Sequence, residues 1–236
     1  IISLFVITLS SLFLKLYTID FTIPLHSDSL TYIIDAIFYS QGDFFLNVKS
    51  NPGWRLFISP FVLLIDSNNY IDYSNLLRIL TLSISTITIL PMYYLAKKFF
   101  SEKYSLIASA LFAFEPHLNY NSGLGLSESL FILVLIISFL FILQKNFKYA
   151  YLSFATAGFF WWMRYEGIAL FFALSIIYFI IFRNSKQKIP KYLICIFIFS
   201  IILIPNFIQR EQQFDDPFYF WYEENLFTED YATLLS

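Results

Sequence analysis

Three short polar connectors hold nine of the chain's fifteen Lys and Arg residues: Lys97, Lys98 and Lys103; Lys145 and Lys148; and Arg183, Lys186, Lys188 and Lys191. The same connectors contain one of its seventeen acids, Glu102. Two apolar stretches separate each connector from the next, so a chain that crosses a membrane brings all three back to one side. This is the positive-inside pattern of a multi-spanning membrane protein. Nearly every acid, both His and the remaining Arg then fall on or near the opposite, outer face. Composition agrees: 58% of the residues are hydrophobic and only 14% are charged, against about 25% charged in soluble domains. A net charge of −2 gives no basic field for nucleic acid. The single Cys195 cannot form a disulfide framework or a cysteine metal site.

A span needs about 20 apolar residues. The apolar stretches predict about seven spans, at 1–19, 73–95, 104–119, 127–143, 150–163, 167–182 and 192–207. The expected fold is an all-α polytopic transmembrane helix bundle over 1–207, with its first outer loop at 20–72. Residues 208–236 read as the start of a further outer loop, acidic and rich in aromatics. The missing initiator Met and the apolar start point to a piece of a longer protein.

The first outer loop has two helices of its own. In HSDSLTYIIDAIFYSQG, Ser27 is the expected N-cap and Gly42 the stop. Leu30, Ile33, Ile34, Ile37 and Phe38 make one apolar stripe, with Asp28, Tyr32 and Asp35 on the other face. That predicts an interfacial helix with its acids turned to the lumen. NPGWRLFISPFVLLI is too short for a span. It reads as a second interfacial helix with Asn51 as N-cap and Pro52 as first helical residue.

The candidate site gathers at the outer rim: Asp28, Arg78, Glu115, His117, Glu128, Arg164 and Glu166. Ionisable groups at this depth are costly and mark substrate or ion paths. Asp28 stands in a first helical turn, where the dipole favours an anion. It either stabilises its helix alone or acts as general base or cation ligand. Arg164 in WWMRYEG either forks a phosphate or pairs with Glu166 or a lipid headgroup. His26, Asp28 and Glu128 are candidate ligands for a divalent cation, Mg²⁺, Mn²⁺ or Zn²⁺, though two scattered His with no fixed spacing are a weak metal signal.

Four segments together resemble a known pattern: HSDSLTYIIDA after the first span; NPGWRLFISPF; PMYYLAKKFFSEKYSLIASALFAFEPHLNYNSGLGLSESLFIL; and GFFWWMRYEGIAL. In order and sidedness they are similar to the N-terminal half of a GT-C glycosyltransferase of the protein mannosyltransferase and aminoarabinose transferase type. The resemblance implies transfer of a sugar from a polyprenyl phosphate to a protein, lipid or glycan at the outer leaflet, or lumenal side. A prokaryotic plasma membrane is the expected location. It puts the family's first-loop acid on Asp28 as catalytic residue, the outer acid on Glu128 and the Arg turn on Arg164. Arg78, Glu166, Tyr32 and Asn51 complete the expected donor-phosphate and substrate contacts. Two positions depart from the pattern: Ser29 stands where many relatives have a second acid, and Asn51 where many have Lys or His. The rival classes are a multi-spanning transporter, which would place polar groups at the bilayer midplane within repeated halves, and an outer-leaflet glycan ligase or polymerase.

Overall fold

A computed structural model describes residues 2–25, 28–44, 51–65 and 67–217. Among these residues the regular structure is entirely helical: α1 (Ile2–Thr18), α2 (Asp28–Ser40), α3 (Gly53–Val62), α4 (Tyr70–Ile87), α5 (Ile89–Ala96), α6 (Glu102–Ala113), α7 (Pro116–Ser122), α8 (Glu128–Ile142), α9 (Phe147–Met163), α10 (Gly167–Ile181) and α11 (Lys188–Phe214). Two helical runs, Tyr70–Ala96 and Lys188–Phe214, are long and apolar enough to cross a membrane. Ile2–Thr18, Glu128–Ile142 and Gly167–Ile181 are shorter apolar helices. Rows of large apolar side chains point outward. On α10 these include Phe172, Ile176 and Ile180, and on α11 Leu193, Phe197 and Ile201, all more than 45% exposed. Apolar surface of that extent marks a lipid contact. The molecule is an integral membrane helix bundle.

The predicted spans match helices with three informative differences. The 104–119 stretch is cut at Ala113, and Pro116 opens the separate α7, capped by the Glu115 carboxylate on the Leu118 N–H. Proline is favoured at a first helical position and disfavoured inside a helix, so the apolar run divides there. The 150–163 stretch starts earlier, because the Asn146 side chain accepts from Lys148 N–H and caps α9. The 192–207 stretch runs on to Phe214. Its last turns carry Gln209, Arg210 and Glu211, which a hydropathy reading discards although their backbone remains helical.

Small residues let the helices approach, as packing in lipid favours. Ser153 Oγ donates to Ser138 O at 2.7 Å, joining α9 to α8. A Cβ on Gly158 would come within 2.8 Å of Ile202 on α11. The largest buried cluster lies among α8, α9, α10 and α11, around Phe154, Leu174, Tyr178 and Cys195. A second cluster holds α2 and α3 against α4 through Ile33, Trp54, Ile58 and Leu77. A third joins α1, α5 and α6.

The two interfacial helices form where they are expected. α2 ends at Ser40 and Gly42 follows at φ +89°, the left-handed conformation that suits glycine. The Ser27 cap lies outside the described residues, as does most of the acidic and aromatic tail. Two expectations are corrected. Asp35 does not face the lumen: it is buried between α2 and α3, where Arg55 Nε stands 2.7 Å from Asp35 Oδ2. The Asp35 end of the α2 polar face is turned into the protein, while Leu30, Ile34 and Phe38 are exposed along with Asp28. Asn51 does not cap α3, which begins at Gly53 with Pro52 in front of it and no side-chain cap. The Asn51 amide is used instead across the fold, as described below.

Candidate functional site

The loop before α8 is the anchor of the site. Ser29 Oγ on α2 donates to Leu124 O at 2.5 Å. Trp54 Nε1 on α3 donates to Gly125 O at 3.2 Å. Both interfacial helices are thereby bonded to one short backbone segment that leads into Glu128. The first turn of α2 faces the first turn of α8 as a result. Ser29 contributes here through its hydroxyl, as a tether.

Arg164 closes the arrangement from α9. It is the C-cap of that helix and extended in backbone, with its N–H on Phe160 O. Gly167 permits the turn: a Cβ there would sit 2.6 Å from the Trp161 backbone, so the chain folds back onto itself only without a side chain. The guanidinium meets two carboxylates. Its Nη2 is 2.9 Å from Glu166 Oε1, and its Nη1 is 3.4 Å from Glu128 Oε1. It also lies over the Phe131 ring, 5.3 Å from the centroid. The Arg164 side chain is 37% exposed, that of Glu128 32% and that of Glu166 57%, so the cluster is open to an incoming group. Glu166 hydrogen-bonds the guanidinium and raises its pKa above the ordinary value. The same hydrogen bond holds the Glu166 carboxyl below its usual range.

Tyr32 connects this cluster to Asp28. Its hydroxyl lies near Ser127 and within electrostatic reach of Asp28, Glu128 and Arg164. Burial, and then the Asp28 carboxylate, push its pKa upward, so the phenol stays protonated as a donor. Asp28 itself is exposed at the start of α2. Glu128 Oε2 is buried and has no hydrogen bond among the described residues. Beneath Glu128 is a cavity of about 10 Å³ lined in part by Ser85, Asn121 and Ser129, the scale of one water. At its edge the buried Lys15 of α1 donates to Ser85 Oγ at 2.6 Å.

Asp28, Tyr32, Glu128, Arg164 and Glu166 therefore come together. Four other candidates have partners of their own. Arg78 donates to Asn75 Oδ1 at 2.9 Å and faces Asp20 and Tyr70, on the side where the chain leaves α1. Thr22 hydrogen bonds hold the Asp20 carboxyl below its ordinary pKa. Asn51 serves another group: its Nδ2 donates to Trp161 O at 2.8 Å, and its Oδ1 accepts from Arg210 Nη2 at 2.8 Å. Glu115 caps α7, and His117 contacts Asn121 on the same helix. His26 lies outside the described residues. Among the described residues no three His, Cys, Asp or Glu gather as a metal-binding group.

Sequence reasoning missed two arginines. Arg55 pairs with Asp35 and lies 5.5 Å from the Tyr32 ring centroid, so it supports Tyr32 from below. Arg210 is fully buried and reaches Asn51 and the Tyr165 hydroxyl, the latter at 3.0 Å. It holds the residue next to Arg164 from behind. The signal for Arg55 was a cation two residues into an otherwise apolar short helix. Arg210 carried no such signal, because it stands past the apparent end of its span in a polar run.

The family model described as dolichyl-phosphate-mannose-protein mannosyltransferase matches residues 56–208. The matched stretch contains Arg78, Glu128, Arg164 and Glu166, and begins after Asp28, Tyr32 and Asn51. Neither the curated proteins nor the solved structures gave a match to this chain.

Proposed function

The chain belongs to the dolichyl-phosphate-mannose-protein mannosyltransferase family, and we propose that it moves a sugar from a polyprenyl-phosphate donor to a protein, lipid or glycan acceptor at the outer face of the membrane. The family makes it a GT-C membrane glycosyltransferase that uses a polyprenyl-phosphate-linked sugar. The acceptor, the face and the residue roles are our reading.

The observation that supports this reading is the half-exposed Arg164 held between Glu128 and Glu166, with Tyr32 and Asp28 within electrostatic reach of the cluster. A polyprenyl-phosphate donor keeps its tail in the bilayer and its phosphate at headgroup level, where Arg164 stands. When the glycosidic C–O bond to phosphate breaks, the phosphate gains negative charge. A guanidinium aimed at that charge stabilises the transition state more than the bound donor, the condition for accelerating the chemical step. Glu166 and Glu128 hold the guanidinium in place before the phosphate arrives. On the far side of the sugar, Asp28 takes the proton of the acceptor hydroxyl or amide as its oxygen or nitrogen attacks the anomeric carbon. Attack opposite the leaving phosphate inverts the configuration. Tyr32, protonated, donates a hydrogen bond to the sugar or phosphate between them.

The test is transfer of radiolabelled sugar from a polyprenyl-phosphate donor by the Asp28→Asn variant. Loss of transfer by at least a hundredfold, with unchanged thermal unfolding, is expected, because Asp28 is exposed at a helix start. Wild-type transfer by that variant would remove the role assigned to Asp28. Solute movement into liposomes without any sugar transfer by the wild type would favour the transporter reading instead.

A further inference from the structure

At the opposite ends of α8 and α9 from the transfer site lies a second cleft, of about 470 Å³. Glu128 opens α8 and Gln144 follows its last turn; Tyr149 stands at the start of α9 and Arg164 at its end. At 1.5 Å per residue, the fifteen residues of α8 separate the two sites by roughly 22 Å. The cleft is lined by Tyr94, Lys97 and Lys98 from α5 and the turn after it, and by Leu140, Phe141, Gln144 and Tyr149 from α8 and α9.

Its chemistry is divided in two. One end is cationic. Lys98 Nζ donates to Gln144 Oε1 at 3.2 Å, which draws the ammonium toward the end of α8. Lys97 Nζ lies 5.4 Å from the Tyr93 ring centroid. Lys145 and Lys148 belong to the connector beside Gln144, and Lys103 to the one that follows Lys98; across these two connectors the only acid is Glu102. The other end is apolar and aromatic. Phe141 and Tyr149 stack with ring centroids 6.0 Å apart. Tyr94 is 52% and Tyr149 42% exposed, on helices whose outward faces meet lipid.

A soluble anion would need only the cations. An apolar wall that continues from the cations onto the lipid-facing surface fits a ligand with a charged head and a hydrocarbon body. Basic pockets between transmembrane helices bind anionic headgroups on the positive side of a membrane. We propose that this cleft binds one anionic phospholipid of the leaflet opposite the transfer site. Lys97 and Lys98 hold its phosphodiester, and Tyr94, Leu140, Phe141 and Tyr149 line its first acyl carbons. This site takes no part in the transfer reaction and does not depend on the roles given to Asp28 or Arg164.

The experiment is native mass spectrometry of the full chain in detergent, titrated with phosphatidylglycerol, phosphatidylcholine and glycerol 3-phosphate. One phosphatidylglycerol should be retained per chain, with phosphatidylcholine at least tenfold weaker and glycerol 3-phosphate not bound at the same concentrations. The Lys97→Gln/Lys98→Gln double variant should bind phosphatidylglycerol roughly thirtyfold more weakly, from two lysines each contributing the usual increment near an anionic surface. Both lysines are exposed, so the fold should persist, and retained sugar transfer checks that it does. Lys186→Gln/Lys188→Gln removes the same charge from another connector and should leave affinity within twofold. Equal loss in that control would assign the binding to diffuse charge and overturn the proposal. Undiminished binding by the first variant, equal binding of phosphatidylcholine, or saturation by glycerol 3-phosphate would overturn it too.

Discussion

The molecule contains arginines in two contrasting settings. Arg55 and Arg210 are buried and fastened to fixed partners within the fold. Arg55 faces Asp35 at 2.7 Å with both side chains under 5% exposed, and Arg210 joins α11 to Asn51 and Tyr165. Arg164 is more than a third exposed and is shared between two carboxylates, one of them at 3.4 Å. One side of Glu128 has no hydrogen-bond partner among the described residues. A guanidinium buried among partners from its own fold can only hold helices together. One with looser, exposed partners can exchange them for a phosphate. The difference separates scaffold from candidate site more clearly than residue type does.

Removal of a scaffold arginine has the largest expected effect. Arg55→Ala leaves the Asp35 carboxylate buried without its partner, which costs about 3–5 kcal/mol. Thermal or denaturant unfolding in detergent should show this, with loss of transfer only because the protein unfolds. Replacing both members by apolar residues, Asp35→Leu with Arg55→Met, should restore most of the stability. If Arg55→Ala is as stable as wild type, the pair is not a scaffold element. A smaller effect is expected at Asn51. Its truncation to Ala deprives Trp161 O and Arg210 of hydrogen bonds and should cost about 1–3 kcal/mol, detected as a lower unfolding midpoint. Were Asn51 a donor contact instead, Asn51→Ala would raise KM without moving the midpoint.

The smallest effect belongs to Glu166. Its pair with Arg164 is exposed, so Glu166→Gln should change stability by no more than about 1 kcal/mol. Because the carboxyl pKa is lowered by folding, the contribution is complete above the ordinary Glu value of about 4.3. It is lost as pH falls through the lowered value. The unfolding midpoint of wild type and Glu166→Gln should converge below that range. A difference that grows on acidification would contradict the sign.

Much of this was legible before any coordinates. The charge sorting gave the bundle, and the apolar lengths gave nearly all its helices. Glu128, Arg164 and Asp28 could be named as candidates because each interrupts or borders an apolar run at the same expected rim. Asp35 could not be read correctly, since a helical wheel equates the polar face with the solvent face. Its partner, Arg55, comes from another helix. Asn51 was misread for a related reason: a cap is a local expectation, while its actual partners, Trp161 and Arg210, are more than a hundred residues away. Arg210 was hidden because hydropathy ended its helix too early.

The most direct test of the distinction is the affinity of a free polyprenyl phosphate, the leaving product, for the Arg164→Gln variant, measured beside its unfolding midpoint. Binding at least tenfold weaker than wild type with an unchanged midpoint is the predicted result. Wild-type affinity, or a midpoint lowered as far as that of Arg55→Ala, would show that Arg164 is one more scaffold arginine and not the group that meets the phosphate.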